Sequence, residues 1–382
     1  MTHAAIAGKC TFRAAPTPTL SDQVHQNDVV VLVKWHTAIK GIEAESGTTT
    51  YEVLDVLRAL QPGAPRKGER LELAGHREGS NSDLFLLFGT KDRKLEWGKP
   101  VNISETAYEY IEQAPSPKLP IQKRLAYFVN YLEHADLIVA TDAHAEFENA
   151  PNDEMKVSAK SLSRDKFHSY LSDPNVNSSR MRIYGLILGL RGNDEDAEMM
   201  GKLIAQPSEN FRLGIDGVMA GYLLLTGEAG LERIENSKLR DKSIVFSETY
   251  ATMQALRFMW QHGEGHISQE RLRESMRILL DRPELADLVI NDLARMKDWE
   301  SQERLAALYG EGEYNIPSIK RAIVRFLISS TKDIPDQANE DDINGNDADR
   351  PEHVIRGEKL LEEIRQKDPK TVAEVKRFFN VK

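Results

Sequence analysis

The feature that most constrains this chain is a period. Five stretches with helical spacing end at Gly192, Gly227, Gly263, Asp298 and Asp333, at intervals of 35, 36, 35 and 35 residues. Five positions before each end stand Ile187, Tyr222, Phe258, Leu293 and Ile328, all apolar. Nine positions before stand Ile183, Val218, Gln254, Val289 and Val324, of which only Gln254 is polar. The two positions lie four residues apart and so stack on one helix face. More charged helical segments fall between them, at 195–205, 228–239, 268–280 and 300–309. A recurring helix pair of this length cannot bury its apolar face alone and stacks on its neighbours. The period therefore predicts an α-solenoid over residues 121–332 with Ile187, Tyr222, Phe258, Leu293 and Ile328 buried. Gly214, Gly217 and Gly221 fall inside one predicted helix, each at about 1 kcal/mol relative to Ala, and are read as permitting close helix packing.

The chain before the repeats has a different pattern. Residues 29–35 (VVVLVKW) form a β-branched run, as in a strand buried on both faces. Residues 48–60 favour strand, although Leu54, Leu57 and Arg58 also suit a turn of helix. Residues 70–74 and 83–88 add further short strands, separated by Gly-containing polar loops. Four or five such strands predict a small barrel or sandwich. Residues 114–120 (APSPKLP) are a proline-rich break, after which Leu125, Phe128, Val129 and Leu132 predict a helix over 121–133.

Cys10, Asp28 to Val31, Tyr51-Glu52-Val53, Lys67-Gly68-Glu69 and Ser80 to Phe88 together resemble the OB-like barrel of netrin-type modules, with one cysteine where such modules carry several. The helical part resembles HEAT-type repeats. The two-part plan is similar to an uncharacterised family of planctomycete-type bacterial proteins, whose opening C-P-F-C stands here as Cys10-Thr11-Phe12-Arg13. The resemblance implies an α+β multidomain chain: a small N-terminal OB-like/netrin-like β-barrel followed by an α-solenoid of HEAT-like helix pairs. The expected boundaries are a β module over 1–112, a Pro-rich linker over 113–120, the solenoid over 121–332, an acidic flexible linker over 333–350 and a C-terminal helix pair over 351–382. That pair carries Val354, Leu360, Leu361 and Ile364, then Val372, Val375 and Phe379, on its inward faces.

Composition narrows the function. Fifty Lys and Arg against 60 Asp and Glu give a net charge of −10, which argues against nucleic acid as partner, because tracking phosphates needs clustered cations. No apolar run has the roughly 18–20 residues of a membrane helix. The start, MTHAAIAGKC, has neither a basic stretch nor a long apolar run. Two compartments stay open: cytoplasm if the chain is complete, or periplasm or cell envelope, which the resemblance favours, if a leader has been removed. The single thiol, Cys10, is a candidate attachment point for a lipid, a cofactor or a second chain.

Other motifs have plain readings. In His262-Gly-Glu-Gly-His266 the glycines break the single helix turn that a zinc site of the H-E-x-x-H kind needs. Residues 342–346 resemble the start of a calcium loop, but Asp347 and His353 stand where Gly and Glu belong. Asp142, His144, Glu146 and Glu148 lie close together on a predicted helix, with His144 and Glu148 on one face. Trp35, Trp97, Trp260 and Trp299 read as core residues. No catalytic constellation, cofactor motif or metal site emerges, so the expected function is a non-enzymatic protein-binding or scaffold protein using the solenoid surface. Its expected contact residues are the acidic ones on the second helices of the first rungs, Glu195, Glu198 and Glu232, facing an extended partner with a basic end. The alternatives are an enzyme or cofactor-binding protein with its site between the β module and the solenoid, and a weak nucleic-acid binder through the OB-like face. The sequence leaves oligomeric state open.

Overall fold

A computed structural model describes residues 17–42, 46–60, 63–207, 211–334 and 350–379. The chain divides into two compact units between Arg164 and Asp165.

In the first unit, β1 (Val29–Lys40) is the hub of one antiparallel sheet. It pairs with β2 (Gly47–Ala59) on one side and β4 (Leu84–Lys91) on the other. Beyond them lie β3 (Arg70–Ala74) on β2, and β5 (Leu95–Trp97) with β6 (Val101–Asn102) on β4, giving the order β3-β2-β1-β4-β5. Val29, Val31 and Val33 pack with Tyr51, Val53, Phe85 and Leu87, while the alternate residues Val30, Leu32, Leu86 and Phe88 are buried as well. Both faces of β1 are thus covered, as its unbroken apolar run requires. Burial of each such side chain contributes roughly 1.5–3 kcal/mol. The open choice over residues 54–60 resolves to strand, because the β1–β2 register continues to Val29↔Ala59.

Among the described residues, five helices complete this unit: α1 (Leu20–Gln26), α2 (Glu105–Glu112), α3 (Ile121–Phe128), α4 (Leu137–Glu148) and α5 (Asn152–Ala159). The first three helices after the proline break therefore belong with the sheet. α3 stops at Phe128, short of the expected residue 133. The Asn130 side chain donates back to the Ala126 and Tyr127 carbonyls at 3.3 Å, offering the backbone an alternative to helix. Leu125, Phe128 and Leu132 are nonetheless buried. α2 bridges two layers, with Tyr108 donating to Asp55 of β2 and Tyr110 to Asp142 of α4, both at 2.8 Å.

The second unit is a succession of helices: α6 (Arg164–Ser172), α7 (Met181–Arg191), α8 (Asp194–Ala205), α9 (Ile215–Ile234), α10 (Phe246–His262), α11 (Gln269–Ile278), α12 (Ala286–Arg295), α13 (Gln302–Leu308), α14 (Pro317–Thr331), α15 (Glu352–Lys367) and α16 (Pro369–Phe379). The repeat is real. Ile187, Tyr222, Phe258, Leu293 and Ile328 are all buried, each at 4% exposure or less. Gly227 breaks α9 with φ 58°, ψ −138°, so one continuous run holds the first and second helices of a pair. A π-helical turn, Glu235–Leu239, closes its second half. α15 and α16 pack on α14.

Two devices join neighbouring repeats. The first is close backbone contact between α7 and α9, made through Gly185 and Gly189 on one helix and Gly217 and Gly221 on the other. A Cβ on Gly221 would stand 2.0 Å from the Gly185 carbonyl oxygen, and one on Gly189 would stand 2.3 Å from the Gly221 Cα. Gly214 differs from its expected place inside the helix: it is the N-cap of α9, at φ 80°, a left-handed conformation that costs glycine little. The second device is a ladder of arginine–carboxylate pairs. Arg182 holds Asp216 at 2.9 Å, Arg212 holds Glu248 at 2.5 Å, Arg257 holds Asp292 at 2.6 Å and Arg271 holds Glu235 at 2.5 Å. Their sequence separations of 34, 36, 35 and 36 residues are each one repeat.

Candidate interaction surface and a buried carboxylate cluster

Two of the three expected contact residues, Glu195 and Glu198, lie on α8. Asn193 caps this helix through a capping box with Asp196, and the first turn carries Asp194, Glu195 and Asp196, where the positive end of the helix dipole favours acids. Asp196 turns inward, fully buried, with its Oδ1 2.6 Å from His168 Nδ1. Glu195 and Glu198 stay exposed. Glu198 meets Lys202 at 2.7 Å, one turn on. On one side of α8 opens a hollow of about 640 Å³. Ala197, Gly201, Ile204, Tyr222 and Ile234 are among its lining residues, with Asp194 and Glu198 contributing acids and Lys202 and Arg233 bases. Gly201 shapes the hollow, since a Cβ there would stand 3.3 Å from Tyr222 Cε2. On the other side, Glu195 and Glu198 line a second hollow of about 350 Å³. Glu232 is exposed on the second half of α9 but does not line either one.

The later rungs behave differently from their sequence reading as a charged face. Arg271 is spent on Glu235, Arg273 donates to the Met296 carbonyl at 2.9 Å, and Arg304 donates to the Arg277 carbonyl at 3.0 Å. Arg277 pairs with buried Asp298. These cations brace the repeats.

One surface feature escaped the sequence reading. Phe211, Phe246 and Ile316 are 62%, 49% and 45% exposed, just before or at the start of the first helix of their repeats. Phe211 and Phe246 are 35 residues apart, and Ile316 lies 70 beyond Phe246, with Asp281 at the position between. The same period that located the core would have found this row, had it been counted at positions outside the helices.

In the first unit, α4 carries the only other dense group of acids and bases singled out in the sequence. Asp142, His144 and Glu146 are all buried. Asp142 and Glu146, one turn apart, face the same neighbours. Asp142 Oδ1 accepts the Leu20 N–H at 2.6 Å and its Oδ2 accepts the Tyr110 hydroxyl at 2.8 Å. Glu146 pairs with Arg124 of α3, while its Oε1 has no hydrogen-bond partner. Burial pushes the Glu146 carboxyl up to about 7, outweighing the Thr19 hydroxyl and Arg124, and pushes Asp142 and Tyr110 upward too.

The remaining motifs do not assemble. His262 ends α10, and Glu264 (φ 48°) and Gly265 (φ 81°) turn the chain before His266. The four tryptophans are half-buried rather than fully in the core; Trp35 Nε1 donates to the Arg77 carbonyl at 2.9 Å and Trp299 Nε1 to Asp333 at 2.7 Å. Cys10 and residues 342–346 lie outside the described residues. Among the described residues, no group of three His, Cys, Asp or Glu could hold a metal ion, and no helix is long and apolar enough to cross a membrane. No family model, curated protein or solved structure matches this chain.

Proposed function

We propose that this chain is a non-enzymatic protein-binding scaffold, an OB-like, netrin-like β module joined to a HEAT-like α-solenoid that takes an extended partner. The observation that carries this reading is the hollow beside α8, where an apolar floor is rimmed by the acids Asp194 and Glu198 and the bases Lys202 and Arg233, Glu198 being paired with Lys202 and Asp194 left as the acid for a partner's cation. Such a site accepts an apolar side chain next to a Lys or Arg. The exposed row of Phe211, Phe246 and Ile316 supports the same reading, because exposed apolar side chains at repeat spacing suit a partner that runs along the repeats. Peptide-display selection against the purified chain tests it without a known partner. Selected peptides should place Lys or Arg beside an apolar residue. They should lose at least tenfold in affinity for Gly201→Leu, which fills the hollow, and for the triple reversal of Glu195, Glu198 and Glu232 to Lys. Equal affinity for both variants would overturn the reading.

A further inference from the structure

The sheet of the first unit is open at β3. This strand pairs with β2, and among the described residues no other strand lies beyond it. Two hydrogen bonds fix which of its backbone groups are free. Val53 N–H donates to the Glu69 carbonyl and Gly75 N–H to the Gly47 carbonyl, both at 2.9 Å, so the odd-numbered residues from 69 to 75 turn toward β2. Backbone groups alternate sides along a strand, which directs those of Arg70, Glu72 and Ala74 outward. These three residues are exposed, while Leu71 and Leu73 are half-buried against the core shared by β1, β2 and β4. Gly68 (φ 83°) and Gly75 (φ 102°) turn the chain at the two ends of β3, and a Cβ on either would meet no atom within 4 Å. Neither the Arg70 nor the Glu72 side chain makes an ion pair or hydrogen bond with another described residue.

We propose that β3 is a dimerisation edge, pairing antiparallel with β3 of a second copy about a two-fold axis at Leu71. A strand edge with unpaired backbone groups accepts another strand, and a two-fold contact matches residue i with j and j with i. Centred on Leu71, the match sets Arg70 opposite Glu72 of the second copy, twice over. Both pairs carry outward backbone groups, so each exchanges hydrogen bonds as well as opposite charges. Between them the two copies of Leu71 meet as the closer, non-hydrogen-bonded pair, and each already packs on its own core. Charge also rejects the neighbouring registers. An axis on Arg70 or on Glu72 would set that residue opposite its own copy, and like charges directly opposite are destabilising. The contact uses the same edge on both copies, so the assembly closes at two.

Sedimentation of the full chain, up to its solubility limit, should show a monomer giving way to a two-copy species. Hydrogen exchange should show the Arg70 and Glu72 amides gaining protection as that species forms. Arg70→Glu and Glu72→Arg each set like charges opposite one another at two places, and each should weaken the dimer roughly tenfold. The double variant Arg70→Glu/Glu72→Arg restores opposite charges and should recover the wild-type affinity. An equimolar mixture of the two single variants is the sharper measurement. Each is a poor partner for itself and complementary to the other, so mixed dimers should exceed either homodimer. The changes fall on exposed side chains, which keeps the fold out of the comparison. A chain that stays monomeric, an assembly of more than two copies, a dimer whose Arg70 and Glu72 amides stay unprotected, or single variants that gain nothing on mixing would overturn the proposal.

Discussion

The two units bury carboxylates in opposite ways. In the sheet unit, Asp142 and Glu146 share Arg124, and burial carries both upward. In the repeat unit, burial pulls the same way on Glu235 and Glu248. There, hydrogen bonds from Arg271 and Ser275 to the first, and from Arg212 and Lys238 to the second, hold both below the usual carboxylate range. The difference comes from architecture. A repeat brings the same helix position back every 35 residues or so, so an arginine placed once can reach a carboxylate in the next pair. The sheet unit has no such period, and its α4 receives whatever the N-terminal segment presents. Asp292 marks the limit of the repeat device, since burial keeps its carboxyl raised despite Arg257 and Arg295.

The largest effect should come from the glycine contact that only the repeat unit possesses. Gly221→Leu forces α7 and α9 apart, because even a Cβ falls 2.0 Å from the Gly185 carbonyl oxygen. A loss of about 3 kcal/mol or more is expected. Denaturation followed by segment-resolved hydrogen exchange should show peptides of α7 and α9 losing protection while β1 and β4 keep theirs. Loss of protection in both units together would show that they do not fold separately.

A smaller effect probes the ionic ladder. Glu248→Ala leaves Lys238, whose side chain is only 5% exposed, and Arg212 without their shared carboxylate. Removing one partner of a buried pair costs about 3 kcal/mol, sometimes more, because the remaining charge stays out of water. Glu248→Gln should recover part of that in urea titrations. Equal stability of Glu248→Ala and wild type would mean that the ladder is ornament.

The repeat core was readable from sequence because one period fixes many residues at once: Ile187, Tyr222, Phe258, Leu293 and Ile328 needed no knowledge of their neighbours. β1 was readable for a similar reason, since only a strand covered on both faces suits an unbroken run such as Val29 to Val33. The ladder was not readable. Arg257 and Arg271 look like ordinary surface charges until the next repeat is placed beside them. The hollow at α8 depends on a missing side chain, Gly201, and on Tyr222 beneath it, a pairing that the acidic residues alone could not reveal. The Asp142–Glu146 pair is visible in the sequence as a cluster, but its contacts with Thr19 and Leu20 are not, because those residues lie more than a hundred positions away.

The contrast between the units is most directly tested by their pH dependence. Glu146 is raised in the folded state, so its contribution is full below the unfolded value near 4.3 and is lost as pH rises through about 7. Glu235 and Glu248 are lowered, so their contribution is present above that unfolded value and is lost as pH falls through their folded values. Urea midpoints read separately from β1 peptides and α10 peptides by pulsed hydrogen exchange, from pH 3.5 to pH 8.5, measure both. The sheet unit should lose about 1–2 kcal/mol toward the alkaline end, and the repeat unit should weaken toward the acid end. Midpoints that rise and fall together across the range would contradict the view that the two units solve carboxylate burial by different means.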